Sequence, residues 1–135
     1  MKYDVSVLVP VYNVSKFIER CLHTLFGQTY TNIQYIFVDD CSPDNSVEII
    51  KQVLKEYPQR KADVKIVRHD KNRGLAAARN TGIENAEGEF ILHIDSDDYV
   101  ELDMVKEMFL KAKEDGADIV VCDFNIKWKE TQKIA

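Results

Sequence analysis

Cysteine is scarce in this chain. Cys21, Cys41 and Cys122 are odd in number and show neither CxxC spacing nor a pairing framework, which excludes a disulfide scaffold and leaves reduced thiols as the expected state. The three histidines, His23, His69 and His93, are scattered and exclude a zinc site of ordinary ligand spacing. Basic residues are outnumbered: 18 Lys and Arg against 23 Asp and Glu give a formal net charge of −5. No basic face suited to nucleic acid follows, although a local phosphate site stays compatible with that charge. No apolar run approaches the ~20 residues of a membrane span, so no transmembrane segment is expected in this chain. Met1-Lys2-Tyr3-Asp4 runs straight into a strand-like segment; no signal peptide is expected, and a cytoplasmic setting is. Three prolines and five glycines exclude a low-complexity chain. What remains is globular material, 45% hydrophobic and 30% charged in 135 residues, enough for one domain with a buried core.

Val5-Ser6-Val7-Leu8-Val9 is a short β-branched run closed by Pro10 and predicts a buried strand followed by a loop. Ser15 is placed to cap a helix with Phe17, Ile18, Cys21, Leu22, Leu25 and Phe26 on its apolar stripe, stopped at Gly27. Cys21 on that stripe reads as packing. Ile33 to Val38, apolar on both faces, predicts a central parallel strand. It ends in Asp39-Asp40 and the turn-rich Cys41-Ser42-Pro43-Asp44-Asn45. Asn45 with Glu48 resembles a capping box for a helix that turns Val47, Ile50, Val53, Leu54 and Tyr57 inward and ends at Pro58.

Val64-Lys65-Ile66-Val67 is a third strand, and His69 to Arg73 a polar loop. Gly74 opens an alanine-rich helix to about Ala86, its small residues suited to close packing on a sheet. Packing does not account for Arg73, Arg79 and Asn80 gathered at that helix start. Leu102, Val105, Phe109 and Ala112 mark a further helix stopped by Gly116, and Ile119-Val120-Val121-Cys122 a fifth strand. This alternation of strand and helix predicts an α/β fold, a mostly parallel sheet with helices on both faces. Ligands of such sheets bind beyond the carboxyl ends of the strands, where Pro10 to Asn13, Asp39-Asp40 and Asp95 to Asp98 all fall.

The stretch Glu89 to Tyr99 concentrates the chemistry. An apolar strand ends abruptly in Asp95, Asp97 and Asp98, three carboxylates whose mutual repulsion a cation or hydrogen-bond donors would relieve. Asp95-x-Asp97 puts two hard oxygen ligands on one side of an extended segment, which suits Mn²⁺ or Mg²⁺ completed by substrate phosphate oxygens. A lone DxD is a weak signal; one that ends a fourth strand while an Asp pair ends the second is more specific.

Four segments carry a resemblance: Val9-Pro10-Val11-Tyr12-Asn13, Val38-Asp39-Asp40-Cys41-Ser42, Asn72-Arg73-Gly74-Leu75-Ala76-Ala77-Ala78-Arg79-Asn80 and Ile94-Asp95-Ser96-Asp97-Asp98. In this order and spacing they resemble the successive motifs of the family-2 glycosyltransferases over roughly residues 4 to 125. The resemblance implies the GT-A (Rossmann-like) fold, a nucleotide-diphospho-sugar donor that is UDP-linked, inversion at the anomeric carbon, a glycan or lipid-linked acceptor, and a part in cell-surface polysaccharide synthesis. It implies that Pro10, Val11 and Tyr12 line the nucleotide pocket, that Asp39 accepts a hydrogen bond from the base, and that Asp40 braces the loop. Arg73 and Gly74 would cover the nucleotide, and Arg79 would steady the acidic loop. Asp95 and Ser96 would approach the nucleotide, and Asp97, with Asp95, would hold the metal while Asp98 orients the turn.

Two departures qualify it. Cys41 stands where the family usually has Gly, which implies a different backbone conformation or strain. The family's acidic catalytic base lies downstream of the metal motif, and Asp118 and Asp123 come too early for it. Residues 1–135 therefore read as the nucleotide-sugar-binding part of a GT-A domain, cut after about its fifth strand, with no catalytic residue assigned. Membrane attachment at the inner face would be left to the missing part, and self-association through uncovered apolar surface is expected. A binding module without turnover is the alternative for such a piece. A phosphorelay receiver domain fits size and charge but wants its Asp pair after the first strand. A nucleotidyltransferase wants a Gly-rich basic loop there, and Val11-Tyr12-Asn13-Val14-Ser15 has neither.

Overall fold

A computed structural model describes residues 2–116 and the strands 125–128 and 131–134. Strands β1 (Tyr3–Val11), β2 (Ile33–Asp39), β3 (Val64–Arg68) and β4 (Gly88–His93) form one parallel sheet in the order β3-β2-β1-β4. Every residue of β2 is buried, as a strand lined by neighbours on both edges and both faces requires. Register explains the two faces. Val7 lies opposite Tyr35 and Leu92, and Val9 opposite Phe37, all turned to one side. Leu8 lies opposite Ile36, which turns to the other.

Helices α1 (Ile18–Phe26), α2 (Ser46–Leu54) and α4 (Met104–Asp115) cover the first face, where Val7, Val9, Leu22, Phe26, Tyr35 and Phe37 belong to one core. Phe26 meets Tyr35 and Phe37 edge to face, with ring centroids 5.2 and 5.9 Å apart, a geometry worth ~0.5–1.5 kcal/mol per pair beyond area burial. Among the described residues, helix α3 (Leu75–Asn85) covers the second face, packing Ala78 onto Leu8, Ile36 and Val38. Only Ala78 and Gly82 of α3 are buried. A Cβ on Gly82 would sit 3.2 Å from Leu8 Cδ1, so the small residue there does permit close approach. Ala76 is exposed, however, because a helix turns only every fourth residue toward the sheet.

Strand order settles one rivalry. A receiver-type sheet runs 2-1-3-4-5, with its third strand beside the first; here β4 takes that place and β3 lies at the far edge. The switch point falls between β1 and β4, so the crevice opens where their carboxyl ends diverge. Strands β5 (Asn125–Trp128) and β6 (Thr131–Ile134) pair antiparallel in a separate sheet. The expected fifth strand, Ile119 to Cys122, lies outside the described residues.

Local capping differs from expectation. Helix α1 starts at Ile18 with Phe17 57% exposed before it, and neither α1 nor α2 has a side-chain hydrogen bond from the residue at its start. Ser15 instead gives its backbone N–H to Asp44, and Asp44 accepts both N–H and O–H of Ser46. The carboxylate one residue ahead of Asn45 has taken the capping role, because two loops already hold it in place. Arg60 is a further surprise for a surface-type residue. Buried in the 3₁₀ turn Pro58–Asp63, it donates to the carbonyls of Phe26, Gln28, Tyr30 and Thr31. Its charge satisfies the carbonyl-rich exit of α1, where a cation is favoured.

Candidate functional site

All four parallel strands end on one edge of the sheet, and their ladders run on into the loops. Asp40 N–H donates to Val11 carbonyl at 2.9 Å, His69 N–H to Asp39 carbonyl at 2.8 Å, and Ile94 N–H to Leu8 carbonyl at 3.0 Å. The residues that follow are therefore held against a rigid frame. β2 and β4 flank β1, so their ends lie about 10 Å apart at ordinary strand spacing.

Asp39 closes β2 with its side chain nearly buried. Its Oδ1 accepts Ser42 N–H at 2.8 Å, while Oδ2 faces Arg68 Nε at 3.6 Å. It opens on a cleft of about 520 Å³ with Val47 and Ile66 as apolar walls and Lys51 and Arg68 as cations. A cleft with a mostly polar lining, Asp39 included, and two apolar side chains on its walls can take a planar ring that presents an N–H.

Asp40 is buried beside it and serves the next loop. Its carboxylate accepts Arg73 N–H (2.8 Å), Gly74 N–H (2.9 Å) and His69 Nδ1 (2.8 Å). Burial by itself would raise its pKa, but the bonds from Arg73, His69 and Gly74 together outweigh burial and hold the group below the usual carboxylate range. Gly74 takes φ +93° at the start of α3, where a side chain would be strained. The Arg73 guanidinium is exposed and pairs with Asp70 at 3.1 Å.

The loops after β1 and β2 are stitched together through Asp44. It accepts the hydroxyls of Ser42 and Ser46 and the N–H groups of Ser15 and Ser46, and Ser42 Oγ accepts Asn13 N–H at 2.8 Å. Burial opposes ionisation of Asp44, yet these bonds depress its pKa strongly. Pro10, Val11 and Tyr12 lie at the end of β1 beside this junction. Val11 is fully buried in the core, so its backbone is what reaches the edge, whereas the Tyr12 ring is 47% exposed.

After β4 the chain turns sharply, with Asp98 N–H bonded to Asp95 carbonyl at 3.0 Å. Carboxylate oxygens of Asp95, Asp97 and Asp98 lie within 4.8 Å of one another, all three residues exposed. Partial burial first, then the charges of Asp97 and Asp95, raise the Asp98 pKa. Such a set of crowded, hard, solvent-open oxygens fits Mn²⁺ or Mg²⁺. Arg79 reaches into the cluster from α3 and pairs with Asp95 at 3.3 Å, so a cation there competes with Arg79 for Asp95 and meets Asp97 without that rival. Ser96 is buried within the turn. Below it, Cys21 Sγ lies 3.7 Å from Asp95 carbonyl; burial and then the three aspartates push the thiol up to about 12, so it stays protonated and packs.

Cys41 adopts φ +60°, as does Asn13 with φ +53°. The strain alternative holds: a side chain sits in the left-handed region that glycine would occupy at ease. Replacing Cys41 by Gly should raise the thermal midpoint slightly, because relief of about 1 kcal/mol of left-handed strain exceeds the added freedom of the unfolded chain. A midpoint that falls would show that the Cys41 side chain holds the loop.

The sequence places Pro10 to Asn13, Asp39-Asp40 and Asp95 to Asp98 on one edge of the sheet, where the structure brings them; Arg73 and Gly74, placed by the resemblance, join them through their N–H groups on Asp40. Sequence reading missed Asp44, His69 and Arg68. Asp44 carried a signal in its serine-rich turn; His69 carried none, since its partner is distant in sequence.

Residues 6–133 match the family described as Glycosyl transferase family 2. A putative glycosyltransferase of Bacillus subtilis, EpsH, is 43% identical over 129 residues, which are 96% of this chain and 36% of that protein. Staphylococcus aureus TarS, crystallised as residues 1–349 with UDP, superposes with a TM-score of 0.74 at 32% identity over 82% of this chain and 32% of that one. The mannosyltransferase PcManGT of Pyrobaculum calidifontis, in complex with GDP-Man and Mn²⁺, superposes with a TM-score of 0.66 at 28% identity over 73% of this chain and 29% of that one. The chain thus spans about a third of the length of the relatives it matches.

Proposed function

The chain belongs to glycosyl transferase family 2, and from that premise we propose that residues 1–135 are the donor-binding part of an inverting glycosyltransferase. The donor is a nucleotide-diphospho-sugar, with UDP as the nucleotide, and the acceptor is a glycan or lipid-linked glycan. One observation carries this reading: Asp39 with its cleft and the acidic turn end strands on either side of β1, facing the same edge. That separation suits a base held at one end and a diphosphate at the other. The relatives solved with UDP and with GDP-Man and Mn²⁺ support it.

On this reading Asp39 Oδ2 accepts the imide N–H of uracil, and the exposed Tyr12 ring lies against the base or ribose. The Arg73–Gly74 loop closes over the nucleotide. Asp97, with Asp95, holds the divalent cation, which when bound stabilises the charge of the departing diphosphate as a Lewis acid. Arg79 holds Asp95 in place and partly neutralises the turn while the site is open. An acceptor oxygen attacks the anomeric carbon as its bond to the diphosphate oxygen breaks, and that oxygen leaves with the electron pair. A base is needed to take the acceptor proton, and no described residue is assigned to it.

Calorimetric titration with UDP, with and without Mn²⁺, tests the proposal. UDP is expected to bind, more tightly with the metal, and GDP more weakly than UDP. Saturation by GDP but not UDP would remove uracil from the Asp39 reading; binding of neither would remove the donor site.

A further inference from the structure

His69 is the one histidine buried in the described fold, 5% exposed, and nothing in donor chemistry requires it. Its ring bridges two elements. Nδ1 lies 2.8 Å from Asp40 Oδ1, and Nε2 lies 2.7 Å from Thr81 Oγ1 on α3. Asp40 is held ionised, so it can only accept, and the network places the proton on Nδ1. In the neutral ring Nε2 is then an acceptor for the Thr81 hydroxyl. The His69 backbone is fixed as well, through its N–H on the Asp39 carbonyl.

The Asp40 carboxylate has no other side-chain donor on the sheet side among the bonds it makes. Its remaining partners are the N–H groups of Arg73 and Gly74, which belong to the loop it is meant to hold. The Asp40 backbone is fixed by its N–H on the Val11 carbonyl, but without the imidazole its carboxylate would be hydrogen-bonded only to that loop and could rotate with it. Gly74, in a backbone region open to little but glycine, gives the loop no stiffness of its own. The rigid end of the link is therefore His69, anchored to β2 by its backbone and to α3 by its ring.

We propose that His69 is a positioning residue for donor binding. From the strand side it orients Asp40, which sets the Arg73–Gly74 backbone and the start of α3 in the arrangement that receives a nucleoside diphosphate. This rests on the donor-site reading given above, and the experiment separates the two.

Two variants divide the ring by function. In His69→Asn the side-chain amide nitrogen falls close to the place of Nδ1 and can still donate to Asp40. In His69→Gln it falls nearer the place of Nε2 and cannot do so as well. Backbone hydrogen exchange at Arg73 and Gly74 and UDP affinity with Mn²⁺ are measured for wild type and both variants, alongside thermal midpoints. Gln is expected to weaken UDP binding about tenfold, the size of one hydrogen bond to a charged group, and to speed exchange at Arg73 and Gly74. Asn is expected to keep both near wild type, even if its midpoint falls as far as that of Gln. Should His69→Gln fail to fold, Thr81→Val, which removes only the far bond, is expected to speed the same exchange. Equal loss of affinity in Asn and Gln, tracking their midpoints, overturns the positioning role and leaves a merely structural histidine. Unchanged exchange at Arg73 and Gly74 in His69→Gln overturns it too. A wild-type chain that binds no UDP while His69→Gln still speeds loop exchange overturns the donor reading instead, and with it the purpose given to the link.

Discussion

In Asp97→Asn the strengthening of UDP binding by Mn²⁺ is lost, by on the order of tenfold or more, since loss of even an outer-shell partner typically costs 10–100-fold in metal affinity. Three features single out this residue. Asp95 already shares its carboxylate with Arg79 at 3.3 Å. Asp98 has its pKa raised by partial burial and then by the charges of Asp97 and Asp95, so it gives up its proton less readily than an ordinary carboxyl. Asp97 is exposed between them, its oxygens within 4.8 Å of both. The amide keeps one oxygen donor but loses the charge that a hard cation prefers. In the metal-free protein the substitution acts in the opposite sense. Raising a carboxyl pKa on folding favours the fold below its unfolded pKa and disfavours it once pH rises through the folded value. Removing the Asp97 charge relieves that penalty on Asp98. The metal-free variant should accordingly melt no lower than wild type at pH 7, which separates lost metal from lost fold. Mn²⁺ that strengthens UDP binding equally in both proteins would sink the assignment.

The second large effect is on stability. Asp40→Ala removes a buried carboxylate and strands three donors: the N–H groups of Arg73 and Gly74 and the His69 ring. Breaking a buried charged network of this kind costs about 3 kcal/mol or more. For a domain of this size that lowers the thermal midpoint by roughly 10 °C. The pH dependence identifies the cause. The folded-state pKa of Asp40 lies below its unfolded value, so its contribution is complete above the unfolded value of about 3.9 and is lost as pH falls through the folded one. The gap between Asp40→Ala and wild type should be widest near neutrality and shrink below about pH 4. A gap that persists undiminished into strong acid would mean that packing, not the ionised carboxylate, is responsible. Asp44, whose pKa is also depressed by its serine and backbone donors, adds acid sensitivity of the same sign to wild type.

Much of this protein was written in patterns a few residues long. Apolar runs placed β1, β2 and β4, and periodic leucines and isoleucines placed α1 and α2, because burial of one stripe or both faces depends on local spacing. The end of β1 was misplaced, since the strand runs through Pro10 to Val11, paired with Val38 and Asp39. The acidic turn and the Asp39-Asp40 pair were legible for the same reason: unlike surface charges, they interrupt apolar strands at a fixed point. The strand order was decided by the fold, since only the packing of α3 against one face and α1, α2 and α4 against the other brings β4 beside β1. The division of labour between neighbours was decided there too. Asp39 and Asp40 are adjacent and chemically identical, yet one opens on a cleft and the other binds the loop before α3, because a strand turns successive side chains to opposite faces. His69 and Asp40 stand 29 residues apart. No local pattern joins them; the ladder between β2 and β3 does.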